Sequence, residues 1–129
     1  MTAKSFLLDT DVIIEYLRGR DEAIRYVESL EGGLYVSAIT VAEIYSGVKG
    51  TDEEAALERF LDAFEIIPVD RALARLGGLC RQRYRPAHGT GLADAIVATS
   101  AESAGAVLVT FNKRHFPMIK DVVVPYSRS

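Results

Sequence analysis

The chain is short of several things that would point to a function class. It has a single cysteine, Cys80, so an internal disulfide is excluded. A lone thiol fits a reducing compartment, and the expected location is the cytoplasm. Cys80 itself reads as a small core residue. No apolar run approaches the roughly 20 residues that a membrane span needs. Asp9 and Asp11 interrupt the stretch that the apolar region of a signal peptide would occupy. Histidine is scarce too, and His88 and His115 read as structural or loop residues rather than catalytic bases. A net charge of only −3 does not advertise nucleic-acid binding, which would have to come from a local basic patch. There is no internal repeat, linker or low-complexity segment.

What is present fits one domain, residues 1–129, with an ordinary core. Hydrophobic residues make up 49% of the chain and the mean hydropathy is +0.11. That is apolar enough to suggest a covered interface.

Phe6-Leu7-Leu8 is an uninterrupted apolar run, as expected of a strand covered on both faces. Asp9 ends it. Apolar residues then return at Val12, Ile13, Ile14, Tyr16 and Leu17, closer to helical than to alternating spacing. The expected structure is a strand, a sharp junction and a helix capped by Thr10 or Asp11. Asp21 is expected to cap a second helix from Glu22 to about Glu31, with Ile24, Val27 and Leu30 on one face and Gly32-Gly33 as the stop. Leu34-Tyr35-Val36 reads as a strand. A third helix, capped by Ser37 or Thr40, carries Val41, Ile44, Tyr45 and Val48 and closes at Gly50. Thr51 and Glu54 have capping-box spacing for a fourth helix with Leu57, Phe60, Leu61 and Phe64 inward.

Glu65 to Val69 reads as a third strand, with Pro68 marking a sheet edge or strand end. Asp70 is expected to cap a fifth helix running to about Tyr84, with Leu73, Leu76 and Leu79 inward and Gly77-Gly78 weakening its middle. Tyr84 to Gly91 reads as the longest irregular stretch. A sixth helix follows from Leu92 to Ala104 and stops at Gly105. Ala106 to Val109 is a fourth strand, Asn112 to Phe116 a polar turn, and Val122 to Val124 a last strand ended by Pro125. This alternation implies an α/β chain with a parallel, helix-covered sheet and right-handed crossovers.

In such a sheet Asp9, Glu43, Asp94 and Asn112 converge on the carboxyl edge, where open α/β sheets bind ligands. A carboxylate at the end of a buried strand needs a partner to offset its desolvation. Clustered carboxylates repel, and their charged forms call for a cation. Oxygen ligands without His or Cys point to Mg²⁺ or Mn²⁺. Taken singly, Glu43 and Asp94 also read as helix-dipole acids, and Asp11 as a cap or turn residue.

The segments LLDTDVII at Leu7–Ile14, SAITVAEIYSGV at Ser37–Val48, GLADAIVAT at Gly91–Thr99 and LVTFNKRHF at Leu108–Phe116 together resemble the PIN-domain family, and within it the VapC-type toxins of toxin–antitoxin pairs. The resemblance implies a three-layer α/β/α sandwich with a five-stranded parallel sheet. It implies a Mg²⁺- or Mn²⁺-dependent endoribonuclease of a type II toxin–antitoxin system, with an antitoxin protein as partner. Asp9, Glu43 and Asp94 would be the acidic triad that holds the metal. Asn112 falls where many members have a fourth Asp. Thr110 would hydrogen-bond into the site, while Asp11, beside Thr10, would cap the first helix and steady Asp9.

For RNA, the candidate phosphate contacts are Arg81, Arg83 and Arg85 beside the long loop, Lys113 and Arg114 next to Asn112, and Arg18 and Arg20 after the first helix. The apolar excess and the PIN-type resemblance together suggest a homodimer that also offers a groove to an antitoxin segment, from Ile13, Ile14, Tyr16, Leu17, Tyr45 and Val48, more apolar surface than one face needs. Three rivals share features of the chain. Asp9-Thr10-Asp11-Val12 also looks like the opening of haloacid-dehalogenase phosphatases, with Asp9 as nucleophile, but no Asp-Asp pair follows the fourth strand. A receiver-like signalling module would need an acceptor Asp ending the third strand, where only Asp70 is available. A PIN fold that binds partners without catalysis is the third.

Overall fold

The computed structural model describes residues 4–128. Its strands are β1 (Ser5–Leu8), β2 (Gly33–Ser37), β3 (Glu65–Ile67), β4 (Val107–Val109) and β5 (Val122–Val123). The helices are α1 (Thr10–Leu17), α2 (Asp21–Ser29), α3 (Ala38–Ser46), α4 (Gly50–Leu61), α5 (Arg71–His88) and α6 (Leu92–Ala104), with a 3₁₀ turn at Lys113–His115. The strands form one five-stranded sheet in the order β3-β2-β1-β4-β5, and every pairing is parallel.

Leu7 and Leu8 explain why β1 sits at the centre. Both are fully buried, and they face opposite sides of the sheet. Leu8 joins Val12, Ile13, Val36, Ile44, Leu57 and Val109 on the face covered by α1 to α4. Leu7 joins Leu108, Val97, Ala98, Ala101 and Phe116 on the face covered by α6. Burying each leucine contributes roughly 1.5–3 kcal/mol relative to exposure. The small residues of α6 let it lie close to the sheet, and α5 packs on α6. The result is the three-layer α/β/α sandwich.

The chain steps from β1 to β2 to β3 in one direction, then crosses to β4 on the other side of β1. The β1/β4 border is therefore the point where the strand order reverses, and the crevice beyond it is the natural ligand position. The register pairs Leu8 with Val109, so the residues that follow, Asp9 and Thr110, leave the sheet side by side.

Several local expectations change. Asp9, not Thr10 or Asp11, caps α1. Arg20 occupies the cap position of α2 without a side-chain bond, and α2 ends at Ser29. Ser37 caps α3, which closes at Gly47 rather than Gly50. The Thr51–Glu54 capping box does not form. α4 begins at Gly50, and Glu53 accepts a bond from the Lys49 N–H at 3.2 Å. Asp70 does cap α5, accepting from the Leu73 N–H at 2.9 Å. That helix continues through Pro86 to His88, so the long irregular stretch shrinks to Gly89–Gly91. A proline one turn from a helix end removes only one intrahelical bond.

The inward face of α5 is Leu73 and Gly77, with Cys80, Arg81 and Tyr84 half-buried along it, while Leu76 and Leu79 are exposed. Gly77 is thus a contact rather than a weak point, since a Cβ there would lie 2.9 Å from Ile96 Cγ1 on α6. The apolar residues expected to form a dimer face are divided: Ile14 stays outside the core, and with Leu17 and Val48 it lines an open pocket beside α3 and α4. Ile13 is core, and Tyr16, Leu17, Tyr45 and Val48 pack against it.

Two adjacent glycines test the α5–α6 packing. Gly77→Ala is expected to destabilise the fold by about 1–3 kcal/mol through overpacking against Ile96. Gly78→Ala, where no atom lies within 4 Å of the added Cβ, should stabilise it by roughly 0.5–1 kcal/mol. Urea unfolding of both variants measures this, and equal effects would contradict the packing described.

Candidate active site

Asp9 leaves β1 and immediately caps α1. Its backbone N–H donates to Val109 O at 2.9 Å, which keeps it in register with β4. Its Oδ1 accepts from the Thr10 N–H at 2.8 Å, and its Oδ2 accepts from the Thr110 hydroxyl at 2.8 Å. The residue is 7% exposed. Burial, reinforced by the neighbouring charge of Asp11 and more weakly by that of Asp94, raises its pKa from 3.8 to about 7. The hydrogen bonds from Thr110 and Thr10 oppose the rise without cancelling it.

Asp11 does not cap α1. Its Oδ2 accepts from the Phe111 N–H at 3.1 Å and from Asn112 Nδ2 at 3.0 Å, tying the start of α1 to the segment after β4. Thr110 Oγ1 also lies 3.4 Å from this oxygen, but a hydroxyl has one proton and the shorter contact to Asp9 takes it. The Asn112 N–H completes the segment by donating to Thr110 Oγ1 at 3.1 Å. The other Asp11 oxygen, Oδ1, is buried without a partner, and burial pushes this carboxyl's pKa up as well.

Glu43 sits on α3 as an exposed side chain. Its Oε1 accepts from the Thr10 hydroxyl at 2.8 Å, so Thr10 couples it to the α1 start through the residue next to Asp9. Asp94 is in the first turn of α6 and half-buried. Burial raises its pKa, and the opposing influence is His115, whose Nδ1 is 3.5 Å from Asp94 Oδ2. Reading His115 as a plain loop residue missed this pairing. Its position four residues after Phe111 in a polar turn carries no local signal for it.

Asp9, Asp11, Thr110 and Asn112 therefore form one bonded network, Asp94 adds its charge beside it, and Glu43 joins through Thr10. Among the described residues, no three His, Cys, Asp or Glu side chains come together as a group able to hold a metal ion, so the expected triad of Asp9, Glu43 and Asp94 is not assembled in this structure. A divalent cation still fits the chemistry here. The donors are oxygens, Asp11 Oδ1 is buried without a partner, and the ionisation of Asp9 is suppressed by burial and by the neighbouring Asp11 charge. Mg²⁺ in particular is commonly held by one or two carboxylates and completes its shell with water and phosphate.

The basic candidates divide. Arg83, Arg85, Lys113, Arg114 and Arg18 are exposed. Arg81, expected at the surface, is half-buried and its Nε is buried without a partner. Arg20 is engaged with Glu15 at 3.4 Å.

The phosphatase and receiver alternatives do not survive this geometry. Asp11, which would be the acid/base of a phosphatase, is turned into the Phe111–Asn112 segment. The third strand is a sheet edge rather than a central strand, and Asp70 caps α5. The profile of the PIN domain family matches residues 6–121. The chain belongs to the PIN-domain family. This PIN domain is 36% identical over 124 residues to the Mycobacterium tuberculosis protein named Ribonuclease VapC19, covering 93% of this chain and 98% of that one. It is 34% identical to Ribonuclease VapC10 of the same organism, covering 94% and 92%. Among solved structures it resembles a chain of a toxin–antitoxin complex from Klebsiella pneumoniae. The TM-score is 0.82 at 30% identity, with 98% of this chain and 100% of that one covered. A DNA-bound VapBC from Salmonella typhimurium matches with a TM-score of 0.76 at 28% identity, covering 94% and 96%.

The raised Asp9 pKa sets a pH dependence with a definite sign. The unfolded chain ionises Asp9 near 3.8 and the folded chain near 7, so the folded state is favoured at low pH and loses that advantage as pH rises toward 7. Asp11 and Asp94 shift the same way. In chelator, wild-type stability should fall by about 2–3 kcal/mol more than that of Asp9→Asn between pH 5 and pH 8. Urea midpoints for the two proteins across this range measure it, and parallel curves would mean that Asp9 ionises freely in the fold.

Proposed function

We propose that this PIN domain is a metal-dependent endoribonuclease, the toxin of a type II toxin–antitoxin pair, acting as one nuclease domain over its length. The observation that carries this reading is the buried Asp9 carboxylate at the β1/β4 border, held among other carboxylates and with its pKa raised to about 7 by burial and by Asp11. The family membership and the relatives named as ribonucleases support the substrate class. The toxin–antitoxin neighbours support a cognate antitoxin as partner, and a homodimer is the proposed working form. The exposed apolar residues Leu76, Leu79 and Leu92 are the surface on offer for it.

Asp9 and Asp94 are the proposed direct ligands of Mg²⁺ or Mn²⁺, with Glu43 held by Thr10 within the same carboxyl edge. When bound, the ion supplies Lewis acidity toward a phosphodiester and its attacking water. Thr110 fixes the Asp9 oxygen geometry. Asn112 donates its amide nitrogen to Asp11 and so positions that carboxylate. His115 holds one oxygen of Asp94 and orients that carboxylate. Lys113 and Arg114, exposed between Asn112 and His115, are the proposed nearest phosphate contacts. Arg83 and Arg85 extend the path along α5, whereas Arg81 is too enclosed to serve as a free contact.

Asp9→Asn is expected to lower RNA cleavage by at least about 10²-fold, while the protein remains folded and no less stable in chelator at neutral pH. Cleavage and thermal unfolding measured on the same preparation test this, and near wild-type cleavage would remove Asp9 from the chemistry. In an Asp94→Asn background, which isolates binding, replacing Lys113 and Arg114 by Ala should reduce the salt slope of RNA affinity by about 1.4, from about 0.7 for each single-strand phosphate contact. An unchanged slope would move the RNA path to Arg83 and Arg85.

A further inference from the structure

The residues after β5 turn back over the end of β4. The Tyr126 ring meets Phe111 edge-on, with centroids 5.0 Å apart at 76°. The Arg128 guanidinium lies 4.1 Å from the centroid of the same Phe111 ring. Its Nη1 donates to Glu15 Oε1 on α1 at 3.3 Å, and the Glu15 side chain is only 15% exposed. Phe111 is therefore held by an aromatic edge and by a cation that is itself anchored to α1, an arrangement favoured by the ring quadrupole.

The Phe111 ring packs against Tyr126 and Arg128, while its backbone bonds to the acid cluster. The Phe111 N–H donates to Asp11, the Thr110 hydroxyl before it donates to Asp9, and the Asn112 amide after it donates to Asp11. The ring anchors the segment whose donors hold two carboxylates.

We infer that Arg128 and Tyr126 are positioning residues for the acid cluster: by clasping Phe111 they fix residues 110–112, and with them the Asp9 carboxylate proposed to meet the cation and the Asp11 carboxylate beside it. This inference rests on the metal reading above. It assigns a functional role to a C-terminal pair with no hydrogen bond to the cluster's carboxylates, although the Arg128 charge also works to lower the Asp11 pKa. Outer-shell groups that orient ligands are commonly worth about 10-fold or more in metal affinity.

The test is a set of full-length variants read by two measurements. The first is amide hydrogen exchange at Phe111 and Asn112 in chelator, and the second is Mn²⁺ affinity by calorimetry. Arg128→Ala is expected to speed exchange at both amides by about tenfold, because the segment opens locally, and to weaken Mn²⁺ binding by about three- to tenfold. Tyr126→Leu should act in the same direction, and Arg128→Lys should keep most of the wild-type behaviour. Arg20→Ala, which breaks the other ion pair to Glu15 without touching Phe111, should change neither measurement. In a Phe111→Leu background, Arg128→Ala should add nothing further. Unchanged exchange at Phe111, an equal effect of Arg20→Ala, or full additivity with Phe111→Leu would each overturn the inference. A wild-type protein that binds no Mn²⁺ would overturn the metal reading instead, and the exchange data would still judge the clasp.

Discussion

The structure is built around the burial of one carboxylate. Asp9 is placed where a central strand ends and a helix begins, and the sheet register leaves it nowhere else to go. It receives hydrogen bonds from Thr10 and Thr110, yet these do not offset desolvation and the proximity of Asp11, so its pKa stays near 7. A fold selected for stability alone would gain by replacing such a group with a neutral one. Its retention makes sense if a positive charge completes it, which is what a metal-dependent nuclease of the PIN family requires.

The rest of the architecture serves that junction. The order β3-β2-β1-β4-β5 makes β1 and β4 neighbours across the reversal, so Asp9 and Thr110 emerge together although 101 residues separate them. α6 presses its small, buried residues onto one face of the sheet and brings Asp94 to the same edge from its first turn. α3 does the same for Glu43 from the other side, with Thr10 as the link. The segment after β4 then closes the cluster by bonding back to Asp11. The sequence and the fold agree most closely along the strands, where packing leaves least freedom.

What could be read without a structure was whatever depends on near neighbours. The apolar run of β1, the break at Asp9, the Asp70 cap and the Gly105 stop are local features, and each holds. The unread parts depend on distant partners. Asp11 looks like a helix cap because caps are local, but its partners are Phe111 and Asn112, about a hundred residues away. Leu76 and Leu79 look inward because leucines at three-residue spacing mimic a core stripe. The true stripe runs through Gly77, whose missing side chain lets Ile96 approach. Pro86 looks like a terminator, yet α5 tolerates it near its end. His115 and the Phe111 clasp carry no sequence signal, since their meaning arises only when the turn after β4 is placed beside α6 and α1.

The central claim is that the Asp9 site binds a divalent cation, and anomalous diffraction from a Mn²⁺-soaked crystal tests it most directly. One ordered ion is expected at the carboxyl edge of β1 and β4, within coordination distance of oxygens of Asp9 and Asp94. A soak at saturating Mn²⁺ that leaves this position without anomalous density, or places the ordered ion at another carboxylate group such as Glu15 and Glu22, would contradict it.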